Sequence, residues 1–242
     1  LRDYQLDGYR WMTRLSHWGA GACLADDMGL GKTIQTIAFL LYKASEGPSL
    51  VIAPASVLMN WQKEINRFAP SLNPVVFNDS EDRASTLESA ADYDVILTTY
   101  GLLAKEHEAL SKRKWNVACL DEAHTIKNKE TKMSDAAMSL QAESRIILTG
   151  TPVQNYLGEL WNLFQFINPG LLGAFEQFST KFIIPIEQYN DNERKSQLKR
   201  IIQPFMLRRT KAEVIEELPE KTEITRLIDL TPAESVVYET MR

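Results

Sequence analysis

Ala25-Asp26-Asp27-Met28-Gly29-Leu30-Gly31-Lys32-Thr33 separates a short apolar run, Cys23–Ala25, from a segment of helical periodicity. In that segment Ile34, Ile37, Ala38 and Leu41 fall at i, i+3, i+4 and i+7, the spacing of one helix face. The glycines let the backbone curl until successive N–H groups point to a common centre. A helix opening just behind adds the positive end of its dipole. A strand-to-helix turn of this kind cradles phosphate oxygens, with Lys32 reaching the β- and γ-phosphates of a nucleotide and the Thr33 hydroxyl taking one place on Mg²⁺. The usual string is G-x-x-x-x-G-K-[ST], and Asp26 stands where its first Gly belongs.

Working outward, further apolar runs follow at Leu50–Ala53, Val75–Phe77, Val95–Leu97, Val117–Leu120 and Ile146–Leu148, each bounded by turn-forming residues. A second helix is expected after Ser56 as cap, carrying Val57, Leu58, Trp61, Ile65 and Phe68. Strands alternating with helices imply an α/β fold, a largely parallel sheet covered on both faces. Right-handed crossovers bring every strand's C-terminal end to one edge, where such sheets bind ligands. After Gly158 the strand signal stops, and Glu159 to Met206 reads as mostly helical, broken at Pro169-Gly170, Pro185 and Pro204. Trp161, Leu163, Phe164, Phe166 and Ile167 read as core.

Composition narrows the class without naming the partner. The 242 residues are 44% hydrophobic and 24% charged with two cysteines, which excludes disordered, collagen-like and disulfide-scaffold chains. Cys23 and Cys119 lie in apolar runs, as thiols of a reducing compartment do. No apolar stretch approaches the roughly 20 residues that span a bilayer, so no membrane is expected. The net charge of −5 argues against nucleic acid, yet Arg194 to Lys211 holds seven basic residues and no acidic one. Taken alone, such a run reads as a solvated helix face before it reads as a binding patch. The chain opens on Leu1 rather than Met, with no signal-peptide pattern, and reads as a piece of something longer.

Two more strand ends carry polar groups. Val117-Ala118-Cys119-Leu120 runs into Asp121-Glu122-Ala123-His124. Phosphoryl transfer to water needs a metal held by a carboxylate and a residue orienting the attacking water. Asp121 suits the first role, through Mg²⁺-bound water, and Glu122 the second as general base. Alone the pair reads equally as a helix cap. Leu148 leads into Thr149-Gly150-Thr151-Pro152-Val153-Gln154-Asn155, uncharged hydrogen-bonders suited to sensing a γ-phosphate, or merely a turn.

Together Asp27-Met28-Gly29-Leu30-Gly31-Lys32-Thr33, Asp121-Glu122-Ala123-His124 and Leu148 to Asn155 resemble the Swi/Snf-type ATPases, the chromatin-remodelling branch of helicase superfamily two. The opening Leu1-Arg2-Asp3-Tyr4-Gln5-Leu6-Asp7-Gly8 is similar to that family's adenine-recognition motif. Ile52-Ala53-Pro54-Ala55-Ser56 with Trp61, Thr98-Thr99-Tyr100-Gly101, and Leu207-Arg208-Arg209-Thr210-Lys211 with Leu218-Pro219 resemble its later blocks, in order. Asp26-Asp27 replaces the family's Asp-Glu, a conservative change that leans toward a bacterial member, and the family has no Gly at the first position.

The resemblance implies a three-layer RecA-like P-loop NTPase lobe over residues 1–158, a helical protrusion over 159–206, and a segment from 207 to 242 leading toward a second lobe that is absent. Residues 222–242 either pair with this lobe's sheet or begin the second. It implies ATP and Mg²⁺ as cofactors, with Gln5 as adenine reader and Asp27 to Thr33 around the phosphates. Catalysis is assigned to Lys32, Asp121 and Glu122, the metal to Thr33 and Asp121, and coupling to His124, Thr149, Thr151 and Gln154. Ser56, Asn60, Trp61 and Lys63, then Thr99, Tyr100 and Gly101, with Lys127 and Lys129, become candidates for the phosphate backbone of double-stranded DNA. For Trp61 the alternative is a helix core residue. Arg208 and Arg209 either bind a backbone or brace the lobes through acids. His17 and His107 read as surface residues.

The function so implied is a DNA-dependent ATPase and double-stranded-DNA translocase with DNA-bound proteins as cargo. The alternatives are a strand-separating helicase or a nucleotide-gated binding module. The setting is intracellular, cytoplasm or nucleoid in a bacterium and nucleus in a eukaryote. Without the second lobe's arginine finger, hydrolysis by this monomeric fragment is expected to fall by roughly 10³-fold or more.

Overall fold

The computed structural model describes residues 1–126, 128, 131–150 and 156–214. Among the described residues seven strands form one parallel sheet: β1 (Ala22–Leu24), β2 (Ser49–Ala53), β3 (Asn73–Val76), β4 (Asp94–Thr99), β5 (Lys114–Asp121), β6 (Gln141–Leu148) and β7 (Met206–Leu207). Their order is β3-β4-β2-β5-β6-β1-β7. One face carries α1 (Asp3–His17), α2 (Lys32–Lys43) and α3 (Ala55–Phe68). The other carries α4 (Arg83–Ser89), α5 (Tyr100–Lys105), α6 (His107–Lys112), α7 (Lys132–Ser139) and α8 (Leu157–Ile167). The three-layer α/β arrangement expected from the alternating runs is therefore the one observed.

Side-chain alternation along each strand divides the core in two. Leu50 and Ile52 of β2 pack under α5 and its neighbours, while Val51 and Ala53 pack under α2 and α3. All of β2, and β5 from Trp115 onward, is buried, as strands covered on both sides must be. Each fully buried Leu, Ile or Val here contributes about 1.5–3 kcal/mol. Among the described residues no helix is long and apolar enough to cross a membrane.

The two thiols sit on opposite faces of this sheet, Cys23 with the α5–α8 core and Cys119 with the α2–α3 core. Burial pushes the Cys23 thiol up to about 12, and burial with the nearby Asp121 raises the Cys119 thiol well above its ordinary value. Both should stay unreactive toward an aromatic disulfide reagent at pH 8 in the native chain and react together on denaturation. Prompt labelling of either native thiol would contradict this packing.

Several local expectations are corrected. Ser56 is not the cap of α3; the helix starts at Ala55 with Pro54 as its cap residue and no side-chain cap bond. Pro54, at φ −58 and ψ 146, turns the chain into the helix as soon as β2 ends, so no hydroxyl is needed. Pro185 does not break the helical stretch. It lies at the second position of α10 (Ile184–Tyr189), directly after α9 (Phe175–Phe178) and a π-helical turn, Ser179–Ile183, so helical backbone runs through it. The break falls instead at Asn190, in the left-handed conformation, before α11 (Asn192–Ile202). The strand signal does not end at Gly158, since β7 pairs with β1 through Cys23↔Met206 and Leu24↔Leu207. Two residues are too few to show periodicity. Helix α8 belongs to the main core through Leu160, Leu163, Phe164, Phe166 and Ile167, so residue 159 lies inside the sheet-packed body.

Candidate nucleotide site

Strand register assembles the site. Leu24 of β1 and Asp121 of β5 both pair with Leu148 of β6, so three polar segments leave the sheet at one level. Strands two positions apart lie roughly 10 Å from each other. Between them opens a cleft of ≈ 300 Å³, with Met28, Gly29, Gly31, Lys32 and Thr33 on one wall and Asp121 and Glu122 on the other. Asn60 and Trp61 of α3 close its side.

The loop has the curl its glycines allow: φ is +88° at Gly29 and +76° at Gly31. At Gly31 a Cβ would also stand 2.5 Å from Gln5 Nε2, so any other residue would be strained at this φ and would displace the Gln5 amide. The Lys32 ammonium donates to the Asp26 carbonyl at 2.8 Å, which folds the loop back on itself. Leu30 is buried against Tyr4 and Val214. Gln5 meets the loop directly: its amide donates to Leu30 O at 3.2 Å, and its oxygen accepts from Arg2 N at 3.0 Å. Asp27 is tied from behind, its carboxylate accepting from Lys211 N at 3.1 Å.

Asp121 is held from both faces of the sheet. The Trp61 indole N–H donates to Asp121 Oδ2 at 2.8 Å, and the Tyr100 hydroxyl donates to the Asp121 carbonyl at 2.7 Å. Burial pushes the Asp121 carboxyl above the usual range; the Trp61 hydrogen bond holds it down, and Glu122 raises it again. Glu122 stands at φ +49°, with its N–H on Asp121 Oδ1 at 2.9 Å. Successive strand residues point to opposite faces; the left-handed turn lets Asp121 and Glu122 line one cleft. His124 Nδ1 lies 3.3 Å from Glu122 Oε2.

The third segment joins the loop through its backbone. Thr149 N donates to Leu24 O at 3.2 Å, and a Cβ on Gly150 would stand 3.2 Å from Met28 Cγ. Thr151, Gln154, Lys127, Lys129, Leu218, Pro219 and residues 222–242 fall outside the described residues.

Residues expected at DNA divide. Ser56, Lys63 and Gly101 are exposed. The Thr99 hydroxyl caps α5, accepting from Leu102 N at 3.3 Å. The Tyr100 side chain does not face a ligand; it is 4% exposed, and its hydroxyl is spent on Asp121. Trp61 is core, 1% exposed, but its N–H reaches the site. Arg209 is not a surface cation, because its guanidinium pairs with the buried Asp26 at 2.5 Å. His17 is exposed, as expected, with its Nε2 2.9 Å from the Tyr42 hydroxyl.

Sequence reading missed Asn162 of α8. Its buried amide donates to Ile126 O and to Ser134 Oγ, fastening the turn behind Asp121-Glu122-Ala123-His124. A polar residue inside an otherwise apolar helix face was its one signal.

The SNF2-related domain family matches residues 4–242. YwqA of Bacillus subtilis, whose name places it among ATP-dependent helicases or translocases, is 47% identical over 248 residues, 99% of this chain and 27% of YwqA. The chromatin-remodeling ATPase INO80 of Cryptococcus neoformans is 39% identical over 264 residues, 100% of this chain and 15% of INO80. The Sulfolobus solfataricus SWI2/SNF2 ATPase core in complex with dsDNA superposes with a TM-score of 0.83 at 45% identity, over 99% of this chain and 51% of that one. The chain thus spans about a quarter of YwqA and about half of the Sulfolobus core. With that family's model matching residues 4–242 and the Sulfolobus core superposing over 99% of this chain, the chain belongs to the SNF2-related family.

Proposed function

We propose that this chain is the ATP-binding lobe of a DNA-dependent ATPase, a double-stranded-DNA translocase that shifts proteins along or off DNA. The observation that carries this reading is the facing of Lys32 and Thr33 against Asp121 and Glu122 across a single cleft. Mg²⁺ suits the donors: Thr33 and Asp121 offer hard oxygens there, and no cluster of three His, Cys, Asp or Glu for a self-sufficient metal site occurs among the described residues. That is the donor set of an ion that arrives with a nucleotide and keeps most of its waters. When bound, it neutralises phosphate charge. Lys32 holds the phosphates, Glu122 orients and deprotonates the attacking water, and His124 with Thr149, Thr151 and Gln154 relays the nucleotide's state.

DNA is gripped through its backbone by Ser56, Lys63, Gly101 and the N–H groups opening α5, Tyr100's among them. Such contacts position a motor without reading sequence. The name of the Sulfolobus relative, a core in complex with dsDNA, supports this choice of partner.

The test has two arms. ATP–Mg²⁺ at about a hundredfold above its Kd should stabilise the chain by roughly 2.7 kcal/mol. For this size that raises the melting temperature by about 5–10 °C. Lys32→Ala should remove most of that shift, and an undiminished shift would place the site elsewhere. In the full-length protein, DNA-stimulated ATPase with triplex displacement and no duplex unwinding is expected. Duplex unwinding would select the strand-separating reading instead.

A further inference from the structure

The short strand β7 is the start of a longer alignment. Beyond it the chain runs beside the nucleotide loop: Ala25 N donates to Leu207 O at 2.7 Å, and Asp27 N to Arg209 O at 2.9 Å. Arg209 N donates to Asp26 Oδ1 at 3.0 Å. Thr210 caps the next turn, its amide and hydroxyl holding the Glu213 carboxylate below its usual range.

Arg209 uses this placement to reach three elements at once. Its Nε donates to Asp26 Oδ1 at 3.0 Å and its Nη2 to Asp26 Oδ2 at 2.5 Å, a bidentate fork on a carboxylate with no exposure at all. Nη2 also donates to Gln35 Oε1 at 2.8 Å, in the first turn of α2. Nη1 donates to the Tyr4 carbonyl, and the guanidinium lies 5.2 Å from the centre of the Tyr4 ring. Helix α1 comes this close because residue 8 is Gly; a Cβ there would stand 1.9 Å from Gln35 Oε1 and 2.9 Å from Arg209 Nη2.

A buried ion pair is poor value as a source of stability, since apolar residues of the same volume serve as well or better. Its place in the loop suggests another use. Asp26 gives its carboxylate to Arg209 and its carbonyl to Lys32, so one residue connects the guanidinium to the phosphate-binding ammonium. Gln35 extends the link to Gly31 O at 3.1 Å. Tyr4 extends it to Leu30 O at 3.1 Å, beside Gln5.

We infer that Arg209 is a positioning residue of the nucleotide site, setting the phosphate loop through Asp26 and holding it in register with the adenine-side helix α1 through Tyr4. The inference rests on the nucleotide reading proposed above. Only a planar fork can serve carboxylate, amide and carbonyl together; a lysine at 209 would keep the charge opposite Asp26 but not the other two contacts.

The test titrates a fluorescent ATP analogue with Mg²⁺ into the full-length protein. Arg209→Lys leaves no uncompensated buried charge and should fold. It should bind the analogue about tenfold more weakly, in line with other residues that orient a binding group from behind. Binding stoichiometry and nucleotide-free DNA affinity should stay at the wild-type level, and in turnover the loss should appear in KM rather than kcat. Asp26→Asn should show the same weakening, and the double variant should be no weaker than either single one, because both cut one link. Wild-type affinity in Arg209→Lys overturns the inference. So does reduced stoichiometry at unchanged affinity, which is what a purely structural role gives. A wild-type protein that fails to bind the analogue would remove the nucleotide reading itself.

Discussion

Glu122→Gln is expected to cut DNA-stimulated ATP turnover of the full-length protein by about 10²–10⁴-fold, the range for loss of a general base, with ATP affinity retained. Gln keeps the size and most hydrogen bonding of the side chain but cannot take a proton. The backbone accounts for how the Glu122 carboxylate comes to face the cleft. A non-glycine residue at φ +49° is held at a cost of about 1–2 kcal/mol. The cost is tolerated because Glu122 N bonds Asp121 Oδ1, while Glu122 O accepts from Thr125 N at 3.1 Å and Thr125 Oγ1 at 3.0 Å. An extended residue there would send its carboxylate to the far side of the sheet. The measurement is single-turnover hydrolysis alongside equilibrium nucleotide binding. Turnover within a few-fold of wild type would give the base to another residue.

The segments that line the cleft were legible because each is local. Loop glycines, the Lys32-Thr33 pair and the Asp121-Glu122 doublet each declare themselves within a few residues, and strand-helix alternation says which edge they share. What joins them was not legible. Arg209 and Asp26 are 183 residues apart, and nothing near either marks the other. Both expected roles for Arg209 faced outward, whereas the fold turns it onto its own lobe. Tyr100 was grouped with Thr99 and Gly101 as a phosphate contact, because a sequence block carries no depth. Only the helical start at Tyr100 decides that its ring points into the core. β7 escaped because two residues have no period. Pro185 misled because a π-helical turn directly before it lets helical backbone run through a proline.

Trp61 shows the same gap. Its spacing on α3 gave the core reading, which is correct, but not that its N–H meets Asp121. Trp61→Ala should lose about 3–5 kcal/mol of stability by leaving a cavity. Trp61→Phe keeps most of the packing and removes the donor, at about 1–3 kcal/mol for the unsatisfied carboxylate oxygen. The two roles separate by pH. Burial already places the Asp121 carboxyl above the ordinary carboxylate range, and the indole hydrogen bond opposes that rise. Without the donor the folded-state value rises further. A group raised on folding binds its proton more tightly in the native state, so its charged form costs stability above the folded value and the cost disappears as pH falls through it. The stability deficit of Trp61→Phe should therefore shrink on acidification from neutrality toward the carboxylate range. ATP–Mg²⁺ affinity should fail at a higher pH than in the wild type, because protonated Asp121 no longer attracts the cation. Denaturant melts and nucleotide titrations across that window measure both. A deficit that stays constant with pH, with an unshifted acid limb of binding, would reduce Trp61 to packing alone.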